Sequence, residues 1–372
     1  MRPRVKTGKS ESFTSDRGRP GTCTRLIAGL LYLQTKAPID PSSRRLGEAG
    51  VEELLAETIE AAKKAQVIKS TALKRVIVDT TVMDKAIAHP TDSHLLERCR
   101  EHLVNKEAAR HGLKLRQNYN REAPRLASQI GRYAHAKQYK RMRKALRTLR
   151  SRVGRVMRDV QRQTGKVAEN RRAGLEDLIA KTKRVMTQGQ KDKGKLYALH
   201  APEVDCISKG KARQPYEFGV KVSITTTHRE GLVVGARSMP GNPYDGHTLE
   251  EALEQAGILS EVKPEVAVVD RGYRGVAIPG VKIYHPGLRR GITRTLKAMI
   301  KRRSAIEPAI GHMKAEGKLG RNWLKGSIGD ALNAVPCGAG YNLRMILRRL
   351  RRLCALILAA VVGRNFNLTP LA

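Results

Sequence analysis

Three acidic residues in this chain occupy positions that suit metal-dependent chemistry. Asp79 lies in the β-branched run RVIVDTTVM at 75–83, where a carboxylate serves no packing purpose. Asp270 directly follows the apolar run Val266–Val269, and Glu307 lies in a later helical stretch. Carboxylate oxygens suit Mg²⁺, and paired divalent ions stabilise the attacking and leaving oxygens of a phosphodiester displacement. The three acids therefore predict a phosphoryl-transfer site for Mg²⁺, with Mn²⁺ as a substitute.

Each of these acids also has a simpler structural interpretation. Asp270 can cap the glycine-rich turn after its strand, and Glu307 can be an ion-paired residue on a helix surface. Three acids at matching positions favour a shared site over these readings. Arg303 and Lys314 share a helical face with Glu307 and are candidates to hold substrate phosphates. Pro308 requires the helix either to kink or to open near Glu307, and opening would take Arg303 off this face.

The elements that must position the acids are predicted from hydrophobic periodicity. Period-two and β-branched runs predict strands at 75–83, 216–227, 232–239, 266–269 and 281–284. Amphipathic patterns predict helices at 21–34, 48–66, 248–259, 295–316 and 343–362, besides a basic helical block after the first strand. With that block set aside, the order of three strands, a helix, a strand and a helix predicts a ribonuclease-H-like α/β fold. Such a fold brings the three acids together.

The charge of the chain indicates a polyanionic partner. Its 372 residues contain 72 Lys and Arg against 34 Asp and Glu, a formal net charge of +38. This excess argues against small-molecule metabolism as the main activity and for nucleic acid as the partner. Aromatic residues make up only 4% of the chain, which argues against a base-stacking RNA surface.

Much of the positive charge lies in the helical block, where residues 97–195 contain 29 Lys and Arg against 9 Asp and Glu. Two apolar stripes at helical spacing predict two helices in an antiparallel hairpin, with Gly165 and Gly174 flanking the gap. The stripes are Tyr139, Met142, Leu146, Leu149, Val153, Val156 and Val160, then Leu175, Leu178, Ile179, Thr182, Val185 and Met186. We interpret the outer face as DNA-facing; the alternative is a solvated coiled coil whose charge serves solubility. This face includes Lys140, Arg141, Arg143 and Arg147.

Cysteine spacing and apolar runs indicate the cellular setting. The five cysteines, Cys23, Cys99, Cys206, Cys337 and Cys354, contain no C-x-x-C pair, which disfavours a zinc or disulfide framework and predicts reduced thiols in the cytoplasm. The apolar run 26–33 has no cleavage site behind it and is interpreted as a helix rather than a signal peptide. The run 353–362 is too short to span a bilayer, and we expect it to pack on the domain rather than lie on a membrane.

Six segments carry a recognisable set of motifs. They are RVIVDTTVMDKAIAHPTDSHLL, RYAHAKQYKRMRKALRTLRSRVGRV, YEFGVKVS, MPGNPYDGHTL, VVDRGYRG and RRSAIEPAIGHMKAEGKLGRNWLKG. Together they resemble the DDE-type transposases of bacterial insertion sequences, in the insertion-sequence-five group of the four/five superfamily. The superfamily signature around its third acid is Tyr, two residues, Arg, three residues, Glu, six residues and Lys. Arg303, Glu307 and Lys314 fit this signature, whereas Ile300 takes the tyrosine position.

The resemblance implies a reaction for the three acids. Asp79, Asp270 and Glu307 would be the metal-binding catalytic triad of an enzyme that cuts DNA at the terminal inverted repeats of its element. The freed 3′-OH ends would then be joined to target DNA, with Mg²⁺ and without a covalent enzyme intermediate. Arg271 and Arg274 are further candidates for contact with the DNA backbone, beside a glycine-shaped turn. The resemblance also implies a homo-oligomer on DNA, at the bacterial nucleoid and away from any membrane.

These inferences divide the chain into five parts. They are a basic disordered tail at 1–20, a truncated helical DNA-binding region at 21–70, a ribonuclease-H-like core at 71–92 and 200–342, a basic helical insertion at 93–199, and a C-terminal helix and tail at 343–372. Residues 33–36 run almost directly into 37–40, where similar transposases carry a longer region with aromatic residues. We interpret the chain as a deletion derivative with an intact triad and impaired end recognition. Tight, sequence-specific binding to its own element ends would contradict this hypothesis.

Two other functions are compatible with these residues. A non-catalytic basic nucleic-acid binder would bind DNA in a salt-sensitive manner, unaffected by Asp79→Asn or Asp270→Asn, and would not cut it. A structure-selective nuclease on the same fold would cut DNA without joining it. Inverted repeats on either side of the gene would instead indicate a transposable element.

Overall fold

The computed structural model describes residues 41–189, 191–208, 215–287 and 292–362. The predicted tail at 1–20, the predicted helix at 21–34 and the junction at 33–40 lie outside these residues. Within them the chain forms a mixed α/β fold on one six-stranded sheet.

The strand order of the sheet is consistent with the predicted ribonuclease-H-like fold. The strands are β1 (Arg75–Asp84), β2 (Asp205–Ser208), β3 (Tyr216–Thr227), β4 (Val233–Met239), β5 (Val266–Val268) and β6 (Lys282–Tyr284). Strand β3 pairs antiparallel with β1 on one side and with β2 and β4 on the other. Strand β5 runs parallel to β1, and β6 runs parallel to β5. Five of the six strands lie within two residues of their predicted bounds, whereas β2 was not predicted.

Nine α-helices occur in the described residues. They are α1 (Pro41–Lys64), α2 (Asp92–Glu101), α3 (Glu122–His135), α4 (Tyr139–Arg162), α5 (Glu169–Thr187), α6 (Asp245–Ser260), α7 (Arg294–Lys301), α8 (Ile306–Ala315) and α9 (Gly326–Val362). Helix α1 is broken at Gly47, whose φ of 60° is unfavourable for residues with a side chain. Helix α9 begins well before the predicted residue 343 and contains Pro336.

Strand β1 occupies the middle of the sheet because its sequence is apolar on both faces. Val76, Ile77 and Val78 are at most 1% exposed, and they belong to a core that includes residues of α1, α6, α8 and α9. A run that buries both faces suits a central strand flanked by helices. Asp79 continues this run at the point where burial decreases. The core therefore fixes the position of the first predicted acid.

Helices α2 to α5 form a block with hydrophobic clusters of their own. Val153 of α4 shares one cluster with Val185 of α5, and Val160 shares another with Leu175, so the two helices are antiparallel as predicted. The predicted two-helix hairpin is too simple, because α4 also packs against α2 and α3. The apolar faces of those helices are short, and two of the three buried residues of α3 in this cluster are alanines, which weakens the periodicity. Gly174 lies inside α5 rather than beside the gap.

The C-terminal part of α9 leaves the core. Leu353, Leu356, Ile357 and Leu358 are between 53% and 63% exposed. The expectation that the run 353–362 packs on the domain is therefore wrong for these residues, because α9 extends past the elements that bury its first half. Across the described ranges, no helix is long and apolar enough to cross a membrane.

Four of the five cysteines lie in the described residues, and their thiols are free. Burial raises the pKa of Cys99 and of Cys337 to about 12, which keeps both thiols protonated and unreactive. Cys23 lies outside the described residues, and the reduced state of the cysteines stays a prediction.

Candidate active site

The pairing of β1 with β5 determines how the first two acids are placed. Arg75 is opposite Val266 and Ile77 is opposite Val268 in this parallel ladder. Continuing the same register by two residues brings Asp79 beside Asp270, which directly follows β5. Neighbouring strands lie about 4.8 Å apart, so this register makes the two residues close neighbours in the sheet. Asp270 lies at the carboxyl end of its strand, where open α/β sheets bind ligands.

Arg303 connects the first acid with the third. Its Nη1 lies 3.3 Å from Asp79 Oδ2, and its Nη2 lies 3.3 Å from Glu307 Oε1. Asp79 and Arg303 are largely buried, whereas the side chain of Glu307 is 62% exposed. Asp79 Oδ1 also accepts a hydrogen bond from the backbone N–H of Thr80 at 2.9 Å. The structure therefore places Glu307 at the solvent side of the acid pair.

Pro308 opens a helix, and yet Arg303 stays beside Glu307. Helix α8 begins at Ile306, so Pro308 lies in its first turn, where a missing N–H costs little. The expectation that Arg303 would then leave the shared face is wrong. The preceding residues, Arg302–Ala305, form a 3₁₀ turn whose backbone continues the right-handed winding. The four-residue separation of Arg303 and Glu307 therefore still places them on one side.

The carboxylate of Asp270 caps the turn that follows it. Asp270 Oδ1 accepts a hydrogen bond of 2.7 Å from the backbone N–H of Gly272, at the start of the 3₁₀ turn Arg271–Tyr273. The capping interpretation is thus correct for this contact. The cap fixes the direction of the side chain, which a site residue also requires.

The close approach at Gly272 gives a testable prediction. A β carbon at this residue would lie 3.0 Å from Asp270 Oδ1, so Gly272→Ala should displace that carboxylate. We expect about a 10-fold loss of metal-dependent DNA cleavage, the lower end of the usual cost of disturbing a ligand's support. The matched control is Gly131→Ala on α3, where the added carbon meets nothing within 4 Å. Unchanged cleavage by Gly272→Ala, measured as plasmid nicking, would contradict a role for this contact.

A fourth acid, Asp245, was missed by the sequence analysis. It is the first residue of α6, and its Oδ1 accepts hydrogen bonds from Thr80 Oγ1 at 3.0 Å and Lys221 Nζ at 2.9 Å. Its Oδ2 would lie 3.3 Å from a β carbon on Gly272, so it adjoins the Asp270 carboxylate. The sequence signal was an aspartate at the beginning of an amphipathic helix, which is also the signature of an ordinary helix start.

The buried hydroxyl of Tyr273 is influenced by three of these acids together. Burial is the main cause that raises the pKa of Tyr273, and the negative charges of Asp245, Asp79 and Asp270 raise it further. Three carboxylates around one phenol indicate a concentration of negative charge at this end of the sheet. Lys221 and Arg303 partly neutralise it.

The donor set fits a hard divalent cation in its chemistry. The described residues contain no group of three or more acidic, histidine or cysteine side chains already arranged around a metal position. Carboxylate oxygens are nevertheless the donors that Mg²⁺ prefers, and Mg²⁺ needs only one or two of them because it keeps several waters. Asp79 and Asp270 would supply this pair, and the Arg303 guanidinium faces Asp79.

The predicted DNA-contacting residues lie in two regions. Lys314 is half-buried on α8, two turns after Glu307, and the half-buried Ile300 lies at the end of α7. Arg271 and Arg274 are exposed on the turn after Asp270. The remaining four are exposed on α4, in the separate helical block: Lys140, Arg141, Arg143 and Arg147.

Comparison with known proteins assigns the chain to a family. Residues 199–329 match the model of the transposase DDE domain, a range that contains Asp270 and Glu307. This chain belongs to the DDE transposase family. A protein of Rhizobium meliloti, described as "Uncharacterized protein ORF8 in nfe locus", is 40% identical to this transposase over 157 residues. The match covers 33% of this transposase and 75% of the relative. No solved structure matches this transposase.

Proposed function

We propose that this transposase cuts DNA at the ends of an insertion sequence and joins the freed 3′-OH ends to target DNA. The placement of Asp79 beside Asp270 in the sheet, with Arg303 connecting Asp79 to Glu307, is the observation that carries the proposal. Asp79, Asp270 and Glu307 would hold Mg²⁺ or Mn²⁺. When bound, such ions stabilise the attacking and leaving oxygens of an in-line displacement at phosphorus.

The protein side chains around the acids bind and orient the DNA in this proposal. Arg303 carries a planar guanidinium that suits a phosphate as well as a carboxylate, so it can turn from Asp79 to a DNA phosphate. Lys314 contacts the backbone further along α8. Asp245 acts as a positioning residue behind Asp270, where Thr80 and Lys221 hold it. Because Asp79 and Arg303 are largely buried, their electrostatic interactions with bound DNA are strengthened.

The division of the chain is part of the same proposal. The sheet and its flanking helices are the catalytic core at 71–92 and 200–342, with the helical block at 93–199 as a basic insertion after β1. The exposed basic residues of α4 would bind DNA outside the acid site. We further propose that the protein acts in the bacterial cytoplasm as a homo-oligomer that pairs two DNA ends. The hypothesis of an N-terminal deletion concerns residues outside the described ranges.

The decisive experiment compares the parent protein with Asp270→Asn on supercoiled plasmid that carries the repeats flanking the gene. We expect nicking that requires Mg²⁺ or Mn²⁺ and is lost in the variant, because asparagine cannot supply the negative charge that a divalent ion needs. Labelled 3′ ends then report joining to a second plasmid. Circular dichroism confirms that the variant is folded.

Each of the other outcomes of this experiment would indicate a different function for this chain. Metal-dependent cutting without joining would indicate a nuclease rather than a transposase. DNA binding without nicking by either protein would indicate a non-catalytic binder and would contradict the proposed reaction for this chain. Nicking that survives in Asp270→Asn would remove this acid from the site.

A further inference from the structure

A groove with cationic walls lies beside the acid site and is used by none of the steps above. Its volume is about 1010 Å³, and four of its lining residues are Arg75, Arg229, Lys301 and Arg302. Most of the remaining lining is small or apolar, and no acidic side chain lines it within the described part of the chain. A concave surface with charge of one sign focuses the field on a ligand of the opposite sign. The groove therefore suits an anion.

The walls of the groove are held in place by the protein. Arg302 Nε donates to the carbonyl of His228 at 2.9 Å, and its Nη2 donates to the carbonyl of Arg229. His228 Nε2 lies 3.0 Å from the carbonyl of Met299. These contacts connect the turn between β3 and β4 with the segment from α7 to the 3₁₀ turn. The Arg302 side chain and the backbone that carries Arg229 and Lys301 are thus preorganised.

The groove and the acid site lie on opposite sides of the segment 302–308. Arg302, Ser304 and Pro308 line the groove, whereas Arg303 and Glu307, which alternate with them in sequence, face the acid site. This alternation means that a ligand in the groove lies against the backbone that carries the third acid.

The position of Arg75 gives the distance between groove and acids. Arg75 is the first residue of β1 and lines the groove, and Asp79 follows four residues later on the same face of the strand. At roughly 3.3 Å per residue the two are about 13 Å apart. Successive phosphates of one strand of duplex DNA are about 7 Å apart, roughly twice the axial rise of 3.4 Å, because the strand winds around the helix axis, so this separation spans about two phosphates.

We propose that the groove binds backbone phosphates of the same DNA strand that the acids cut, about two nucleotides from the scissile phosphate. This inference rests on the proposed function for the identity of the ligand. The groove would fix the position of the strand without reading its sequence, because guanidinium and ammonium groups contact phosphates that every sequence shares.

The test measures DNA binding without requiring cleavage. Arg229→Ala/Lys301→Ala removes two exposed cations and leaves Arg302 and the wall contacts intact. Binding of a fluorescent duplex is followed by anisotropy in EDTA, in an Asp270→Asn background, between about 50 and 200 mM salt. We expect the slope of log K against log salt to decrease by about 1.8, which corresponds to two lost phosphate contacts.

Two controls separate the groove from general charge. Arg229→Lys/Lys301→Arg keeps both charges and should retain the parent slope. Lys263→Ala/Lys282→Ala removes two exposed lysines outside the groove lining and should leave the slope near that of the parent. Thermal unfolding of each variant checks that the fold is unchanged.

Ethylation interference then locates the contact on the DNA. In the parent, ethylated phosphates about two nucleotides from the cleavage position should block binding, and in the groove variant this interference should disappear. An unchanged slope, or the same interference pattern in both proteins, would overturn the groove assignment even if the protein cuts DNA. Conversely, the parent protein could fail to cut DNA while the groove variant still shows the smaller salt slope. That result would support the groove assignment and contradict the proposed reaction.

Discussion

Asp79→Asn is expected to lower metal-dependent DNA cleavage by more than about 100-fold, because loss of even an outer-sphere partner of a metal ligand costs about 10–100-fold. The substitution keeps the shape of the side chain but removes the charge that faces Arg303. DNA binding should be retained or strengthened, since Arg303 then has one carboxylate fewer to neutralise. Cleavage is measured as plasmid nicking with Mg²⁺, and binding is measured by anisotropy in EDTA.

The matched control for this prediction is Glu265→Gln. Glu265 immediately precedes β5, at the end of the strand opposite Asp270, and forms an exposed ion pair with Lys74 at 2.7 Å. This substitution removes the same charge from a residue close in the sheet but away from the acids, so cleavage should match the parent. Equal losses in the two variants would show that charge in general, and not the acid pair, determines activity.

Lys85→Met is expected to reduce the free energy of unfolding by about 3–5 kcal/mol. Lys85 follows β1, and only 2% of its side chain is exposed. Its Nζ lies 2.9 Å from Glu203 Oε1 and 2.7 Å from Asp330 Oδ1, and it donates to the carbonyl of Leu324 at 2.7 Å. Methionine fills the same space but leaves two carboxylates without their cation, and an uncompensated buried charge is strongly destabilising.

The loss caused by Lys85→Met should depend on pH in a defined direction. Burial raises the pKa of Asp330 to about 6, although the hydrogen bond from Lys85 opposes this rise. Because the folded-state pKa lies above the unfolded value of about 3.9, this group's contribution to stability is greatest at low pH and is lost as pH rises through 6. Without Lys85 the pKa rises further, so the deficit should be larger at pH 7.5 than at pH 5.

Urea denaturation of parent and variant at the two pH values measures this prediction. Lys74→Met is the control, because Lys74 forms only the exposed pair with Glu265 and should cost less than about 1 kcal/mol. A loss for Lys85→Met that equals this control, or one that does not change with pH, would show that the buried cation is not what stabilises the junction of β1 with α9.

The strands of this protein could be predicted where local sequence alone decides the structure. Strand β3 has the predicted bounds, because its β-branched residues alternate from Val220 to Ile224 and then continue without a break to the turn at His228. Strand β2, with four residues, has too little sequence to carry a period, and it exists because it pairs with the first residues of β3. The first half of α9 was missed because Pro336 and several glycines disfavour a helix, and only burial of residues such as Val335 and Cys337 in the core stabilises it.

The features of the candidate site also fall into those that the sequence predicted and those that only the structure showed. The sequence by itself indicated a polyanionic partner and predicted the three acids and the order of elements, because charge, residue type and periodicity are local properties of the chain. Only the tertiary structure decided that Asp245 joins Asp270, that Arg303 connects Asp79 with Glu307, and that a cationic groove lies behind them. These contacts join residues far apart in the sequence, and their distances depend on strand register and helix packing, which no local pattern specifies.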